Sequence, residues 1–392
     1  MNMRIGISAP IEVRTLSQFL PNLSDKELQL GLGGTAINHI ITGLINKGHH
    51  VTVFTLDPTI TEKYVLQGNQ LKIIFGSFRI GWKKKAFDFC FQEFSQIKRF
   101  ILEEKENLDI VNAHWSYEFA IGTILAKVPH IVTFRDDSPS ILRLTKHFYR
   151  ATRLLMDFWV RRSAKAFSYN SEYLKNLINL EGYVIPNPVC FPENMKAKTF
   201  PGLSKPFNIF FIANGWDNRK NPEVAIRAFS LLRKRYTNIN LHLIGSGFEV
   251  QSPGHLKMKS QVNLDGVHFR GKMKFVELLD QYKQCDLMLH TAKEESFGNN
   301  LVEAMANGIP VIAGENAGAV PWVLDYGKAG ALVNVESIES VAKAINKFLT
   351  DKEYFEKLSK AGLNNVQSRF SIEVVTEQYL TAYRKQIDLQ KT

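Results

Sequence analysis

Apolar runs of five to seven residues recur along the whole chain, and nearly all are followed by turn residues and a longer amphipathic stretch. Short runs rich in Ile, Val, Leu and Phe read as strands buried on both faces. Stretches of helical period between them are the crossovers that a parallel sheet requires. The first half carries RIGIS (4–8), HVTVFT (50–55), LKIIF (71–75), IVNAH (110–114), HIVTF (130–134) and AFSYN (166–170). The second half starts again with FNIFFIA (207–213), NLHLIG (240–245), VHFRG (267–271), DLMLHT (286–291), PVIAG (310–314) and GALVN (330–334). The alternation predicts an α/β protein with two doubly wound, Rossmann-like sheets. A chain of 392 residues is too long for one ordinary core, which agrees with two domains.

The stretch VIPNPVCFPENMKAKTFPGLSKPF, residues 184–207, holds five prolines and little periodicity, so the linker is placed there. The expected domains are 1–185 and 186–371. In open α/β sheets, ligands bind beyond the carboxyl ends of the strands, and two such domains facing each other would enclose a cleft between those edges. The loops after strands are therefore where chemistry is sought.

Within that frame, HTAKEESFGNNLVEAMANGIPVIAG (290–314) reads as strand, loop and helix, ended by Gly308 before the next strand. Glu295 falls in the loop at the sheet edge. Gly298 and the residues after it present unpaired backbone N–H groups at a helix amino terminus, a site for a diphosphate. A carboxylate touching phosphate would be repelled, so Glu295 and Glu303 read better as acceptors for sugar hydroxyls. Glu295 would hold the transferred sugar and Glu303 the nucleotide ribose. The plain alternative is one exposed loop Glu and one helix-surface Glu.

The E-x7-E spacing followed by AMANGIPVIA resembles the donor-site signature of the family 4 retaining glycosyltransferases, which have the GT-B fold. Other segments resemble the same family. GLGGTAINHIITGLINKGHHVTVFT resembles its first glycine loop, with Gly33, Gly34 and Thr35 at the donor phosphates. DIVNAHW puts His114 on the position that contacts the transferred sugar, with Asn112 where a histidine is common. IVTFRDDSPS keeps Asp136, read as acceptor-side, and has Arg135 in place of a histidine. FFIANGWDNRKNPEVAIRAF puts Lys220 on the diphosphate position, while Trp216 stands where many members carry an Arg, leaving Arg219 as the second cation. The resemblance also assigns Gly245, Gly271, Lys272, Ser296, Phe297, Gly298, Asn299 and Asn300 to the donor. Gly318 goes to a tight loop near the sugar, and the carboxyl-terminal helix 372–392 crosses back onto the first domain.

The resemblance implies a retaining transfer from a UDP- or GDP-sugar to a glycan or lipid-linked hydroxyl, in cell-envelope polysaccharide synthesis. Catalytic roles fall to Glu295, His114 and Lys220. No metal is implied, and no cofactor beyond the nucleotide-sugar co-substrate. No Ser–His or Cys–His nucleophile pair and no metal-ligand spacing stands out. An epimerase acting on the same nucleotide sugar is the competing enzyme class, and a non-catalytic binder of anions is the other.

The 49 Lys and Arg against 38 Asp and Glu give a formal charge of +11, which points to an anionic partner. No nucleic-acid motif accompanies it, so nucleic acid is not expected as the partner. The charge gathers with aromatics in FRIGWKKKAF (78–87) and in 143–165, where seven Lys or Arg face one Asp. These segments are the candidate surface for anionic lipid. The alternative is a helix with an apolar core face and a solvated basic one. Three widely spaced cysteines without a CxxC pair fit a reducing compartment. No signal-like or membrane-spanning run is found. The expected place is the cytoplasm, with peripheral contact at the inner face of the cell membrane.

Overall fold

The computed structural model describes residues 2–192 and 195–391, so Glu193 and Asn194 of the expected linker lie outside the described residues. The chain divides into two compact units: Met1–Pro188 joined by Ile372–Thr392, and Val189–Ser371. The division comes slightly later than the expected 185/186 because residues up to Pro188 are still tied to the first unit. The Pro188 carbonyl accepts a hydrogen bond from His39 Nδ1 at 3.2 Å. The next residue belongs elsewhere, since Val189 N donates to Phe370 O at 2.9 Å.

The first unit is built on β1 (Arg4–Ser8), β2 (His50–Asp57), β3 (Tyr64–Gln67), β4 (Leu71–Ser77), β5 (Ile110–His114), β6 (His130–Phe134), β7 (Phe167–Tyr169) and β8 (Tyr183–Val184). They form one sheet in the order β3-β4-β2-β1-β5-β6-β7-β8. All neighbours are parallel except β3 and β4. β3 and β8 fall outside the strands expected from the sequence. In β3 only Leu66 is buried, as suits an edge strand, and β8 has two residues, so neither carries the apolar run that marks a covered strand.

The final helix, Ile372–Lys391, belongs to this unit and buries Val375, Tyr379, Leu380 and Tyr383 in its core. It lies against the helix Thr35–Asn46 at Gly43, where an added Cβ would stand 2.0 Å from Thr376 Oγ1 and 2.8 Å from Ile372 Cγ2. The basic stretch from 143 is two helices, Ser138–Thr145 and Phe148–Ser163, separated by a left-handed Lys146 (φ 49°).

The second unit carries β9 (Phe207–Ile212), β10 (Ile239–Ile244), β11 (Val267–Gly271), β12 (Leu287–His290), β13 (Val311–Gly314) and β14 (Ala331–Val333). Their order is β11-β10-β9-β12-β13-β14, all parallel. The direction of winding reverses between β1 and β5 in the first sheet and between β9 and β12 in the second. At such switch points the loops leaving two adjacent strands run opposite ways and leave a crevice.

Gly43→Leu forces a side chain into the contact between the 35–46 and 372–391 helices and is expected to cost about 1–3 kcal/mol. Thermal denaturation followed by circular dichroism checks this, and an unchanged melting temperature would mean that the two helices do not pack as described.

Candidate active site

At the switch point of the second sheet, the loop after β9 and the loop after β12 are sewn together. Lys293 N donates to Arg219 O at 2.8 Å, and Thr291 Oγ1 donates to Asn221 O at 2.7 Å. The first loop is a tight turn in which Asp217 accepts from Lys220 N, through both its carbonyl (3.1 Å) and its Oδ1 (2.8 Å). It ends at a left-handed Asn221, and Pro222 opens the helix Pro222–Arg233. The second loop is held from its other side by Ala319 N donating to Glu295 O at 2.9 Å. The result is a direct contact: Lys220 Nζ donates to Glu295 Oε1, with Arg219 Nη1 at 3.8 Å and His290 Nε2 at 3.5 Å from the same oxygen.

These groups border a cavity of about 560 Å³ lined by Asn214, Lys220, Gly245, Lys272, Glu295 and Gly298 among others. Arg219, Asn299 and Asn300 also line it. Gly298 caps the helix Asn299–Ala306 from a left-handed conformation, which sets the amino-terminal end of that helix, Gly298 to Asn300, on the cavity wall. Asn300 Nδ2 ties the helix start to the end of β9 through Ile212 O at 2.8 Å. Gly245 is at φ +131°, and a Cβ there would lie 1.8 Å from Ala213 O, so the turn after β10 tolerates only glycine.

Three cations against one carboxylate give the cavity a net positive field. Burial by itself would raise the Glu295 carboxyl, yet its hydrogen bond with His290 and the Lys220 ammonium bring it down to about 2. Glu295 is thus an anion throughout the neutral range, an acceptor only. The positive end of the helix adds to Lys220, Arg219 and Lys272. A diphosphate fits this field, and the carboxylate fits hydroxyl donors.

Several expected residues sit otherwise. Phe297 does not present its ring to the cavity: it is buried against Trp322 and Phe370, so its expected donor contact is corrected to a core role that anchors the loop from below. Gly271 is buried, while its neighbours Lys272 and Met273 line the cavity. Glu303 is not among the lining residues; it points to Tyr282, whose hydroxyl donates to its Oε2 at 2.9 Å, and burial raises its carboxyl. Ser296 lies in the loop, half-buried. Trp216 fills the place expected of an Arg by bracing the glycine turn: its Nε1 donates to Gly247 O at 2.7 Å and its ring lies on Phe248. His290 and Tyr282 were not expected. A histidine two residues beyond Met288 in an apolar strand, and a tyrosine at the end of a helix, look like core residues, and nothing in the sequence marks their carboxylate partners.

In the first unit the expected residues gather at the carboxyl ends of β1, β5 and β6. Gly33 and Gly34 precede the helix Thr35–Asn46, and nothing lies within 4 Å of where a Cβ on Gly33 would point. Gly34, at φ +120°, has Pro10 O at 2.4 Å from such a Cβ. Thr35 opens the helix, half-buried. His114 is corrected from an edge residue open to a sugar to one closed off from solvent, at 0% exposure. Its Nδ1 accepts from Arg135 Nε (3.2 Å) and Nη2 (3.0 Å), which leaves the proton on Nε2. Burial, then the Arg135 charge, push its pKa far down, so the ring is neutral. Asp136 accepts from the Tyr117 hydroxyl at 3.1 Å, and burial raises its carboxyl to about 6. Among the described residues no group of three or more His, Cys, Asp or Glu is placed to hold a metal ion.

The comparisons with known proteins name the family to which this fold and site belong. Residues 33–190 match "Glycosyltransferase Family 4" and residues 195–365 match "Glycosyl transferases group 1". The chain belongs to the family 4 glycosyltransferases, of the GT-B fold, and is a glycosyltransferase enzyme. It is 27% identical to the N-acetyl-alpha-D-glucosaminyl L-malate synthase of Bacillus anthracis over 71% of this chain and 75% of that one. It is 24% identical to the capsular polysaccharide biosynthesis glycosyltransferase CapM of Staphylococcus aureus, over 74% and 80% of the two chains. Sucrose-phosphate synthase from Thermosynechococcus elongatus shares the fold with a TM-score of 0.75 at 18% identity, covering 98% of this chain and 99% of that one.

Glu295 and Asp136 act on stability with opposite signs. Glu295, lowered from 4.5 to about 2, contributes fully above about pH 4.5 and loses its contribution as pH falls towards 2. Asp136, raised from 3.8 to about 6, is a cost that is complete above about pH 6 and absent below 3.8. Asp136→Asn is therefore expected to raise the melting temperature above pH 7 and to leave it nearly unchanged at low pH. Equal shifts at both would show that the carboxyl titrates normally.

Proposed function

We propose that the chain moves a sugar from a UDP- or GDP-sugar to a hydroxyl of a glycan or lipid-linked saccharide, with retention at the anomeric carbon. The carrying observation is the cavity at the β9/β12 switch point, where Lys220, Arg219, Lys272 and the helix start at Gly298 surround a single part-buried carboxylate, Glu295. The cations and amides take the diphosphate, and Glu295 takes hydroxyls of the sugar beyond it. In this reading the bond from the anomeric carbon to the phosphate oxygen breaks, the acceptor oxygen bonds to the same face, and the acceptor proton passes to the departing phosphate. No protein nucleophile is required. Lys220 and Arg219 stabilise the charge as it grows on the leaving group, and turnover is expected to persist in the presence of a chelator.

Glu303, held by Tyr282, lies on the same helix four residues beyond Asn299 and thus about 6 Å further along its axis. That displacement suits a hydroxyl on the nucleotide side of the diphosphate, the ribose. The capsular polysaccharide name of the Staphylococcus aureus relative favours an acceptor in the cell envelope.

Glu295→Gln and Lys220→Ala are each expected to lower kcat more than tenfold, a loss of at least about 1.4 kcal/mol of transition-state stabilisation. Wild-type rates in both sink the site assignment. Melting-temperature shifts with a panel of UDP-, GDP-, ADP- and dTDP-sugars identify the donor: one series is expected to stabilise the protein, and less so with Glu303→Ala. Stabilisation by none of them would remove the donor cavity from the reading.

A further inference from the structure

The two basic and aromatic segments, separated by more than fifty residues in sequence, are one surface in the first unit. Lys83–Phe87 forms a short helix packed on the start of the helix Phe148–Ser163. Thr152 Oγ1 donates to Ala86 O at 3.2 Å, the rings of Phe87 and Phe148 stand 5.8 Å apart, and Trp82 meets His147 edge-on at 4.6 Å. The 148–163 helix does not need its outward apolar residues for the core, because Thr152, Met156 and Val160 form its buried face. Phe148 (57% exposed) and Leu155 (56%) are turned outward instead, as are Ile80 (86%) and Phe87 (75%) on the neighbouring segment. Side chains of this size left in water on one contiguous face mark a contact surface.

The charges around them fall into two groups. Arg79, Arg153 and Arg161 are committed inside the unit, to Asp88 and Glu93, to Glu118, and to Asp137 and Asp157. Lys83, Lys84, Arg143, Lys146, Arg162 and Lys165 are exposed, and none pairs with a carboxylate among the described residues. Asp157, the one acid within these segments, and Asp88, which directly follows the first, are both held by arginines. What the surface shows to solvent is therefore mainly apolar and positive, with the Asp88 side chain, 38% exposed, neutralised by Arg79.

We infer that this face docks the protein on an anionic lipid bilayer, with Ile80, Phe87, Phe148 and Leu155 entering the headgroup boundary and the exposed lysines and arginines on lipid phosphates. Among the described residues no helix is long and apolar enough to cross a membrane, so attachment through this face is peripheral. The inference goes beyond the sugar-transfer reading and does not depend on it.

Sedimentation of the full chain with vesicles of phosphatidylcholine, alone or mixed with phosphatidylglycerol, tests it. Binding is expected to the mixed vesicles, little to pure phosphatidylcholine, and release in high salt. Lys83→Gln with Lys84→Gln is expected to weaken binding about tenfold or more, and Phe87→Ser with Phe148→Ser likewise. The lysine pair is fully surface-borne, so it decides the matter even if the aromatic pair lowers the melting temperature. No sedimentation with either vesicle overturns the proposal, as does equal binding by both variant pairs and the parent. A concentration-dependent dimer lost in Phe87→Ser, with no vesicle binding, overturns it in favour of a second copy of the chain. Donor-induced thermal shifts in the same variants keep this outcome separate from that of the donor site.

Discussion

A parallel strand must be followed by a crossover that returns the chain to the same starting edge, so every strand's carboxyl end meets a helix's amino end on one side of the sheet. That connectivity brings free amides, helix dipoles and loop side chains together without any special sequence. Where the winding reverses, between β9 and β12, two loops part and the space between them is the cavity. The loops do not part freely, because Lys293 N to Arg219 O and Ala319 N to Glu295 O fix three of them to one another. The Lys220–Glu295 pair is a product of that stitching.

A part-buried ion pair costs some desolvation of both partners, and here the carboxylate has further support. Glu295 has three cationic or donating neighbours in Lys220, Arg219 and His290. The excess of cations matters more than the pair. With one carboxylate set against Lys220, Arg219 and Lys272, the cavity keeps attraction for a dianion while offering an acceptor for hydroxyls. Trp216 shows how a departure from the family's pattern is absorbed. The indole braces the glycine turn through Gly247 O, and Arg219 on the same loop stands 3.8 Å from Glu295.

Strands covered on both faces were legible because continuous apolar runs have few other uses: β5 and β6 begin and end at the residues their patterns mark. β3 was not, since a single buried Leu66 among exposed neighbours is indistinguishable from a loop. Of the residues that line the cavity, Gly245, Glu295 and Gly298 are ones the sequence marked, whereas Glu303 and Gly271, marked with them, do not line it. The direction of a side chain was not legible. Phe297 sits between two site residues in sequence, yet the turn rotates its ring into the core, and Tyr282 reaches Glu303 from a helix that sequence distance hides. The basic stretch from 143 looked uniform, although buried acids had already claimed Arg153 and Arg161.

Arg135 is the clearest case of a substitution whose effect lies in its neighbour. A guanidinium is a donor only, so a neighbouring ring nitrogen can bond it only as an acceptor. Among the described residues it pairs with no carboxylate, and it rests on His114 Nδ1, the Asn187 side chain and the Trp115 ring. Such a charge tolerates burial only if its neighbours stay neutral acceptors. His114 therefore cannot become an imidazolium while Arg135 stands beside it, and its remaining proton is fixed on Nε2. Tyr379 and Tyr383 of the returning helix close this group from the other side, with Asn112 Nδ2 donating to the Tyr383 hydroxyl at 2.8 Å. Asn112, a neutral amide where the family often has a histidine, is then the counterpart of Arg135: one charge enters the buried strand ends, and the other titratable ring leaves them.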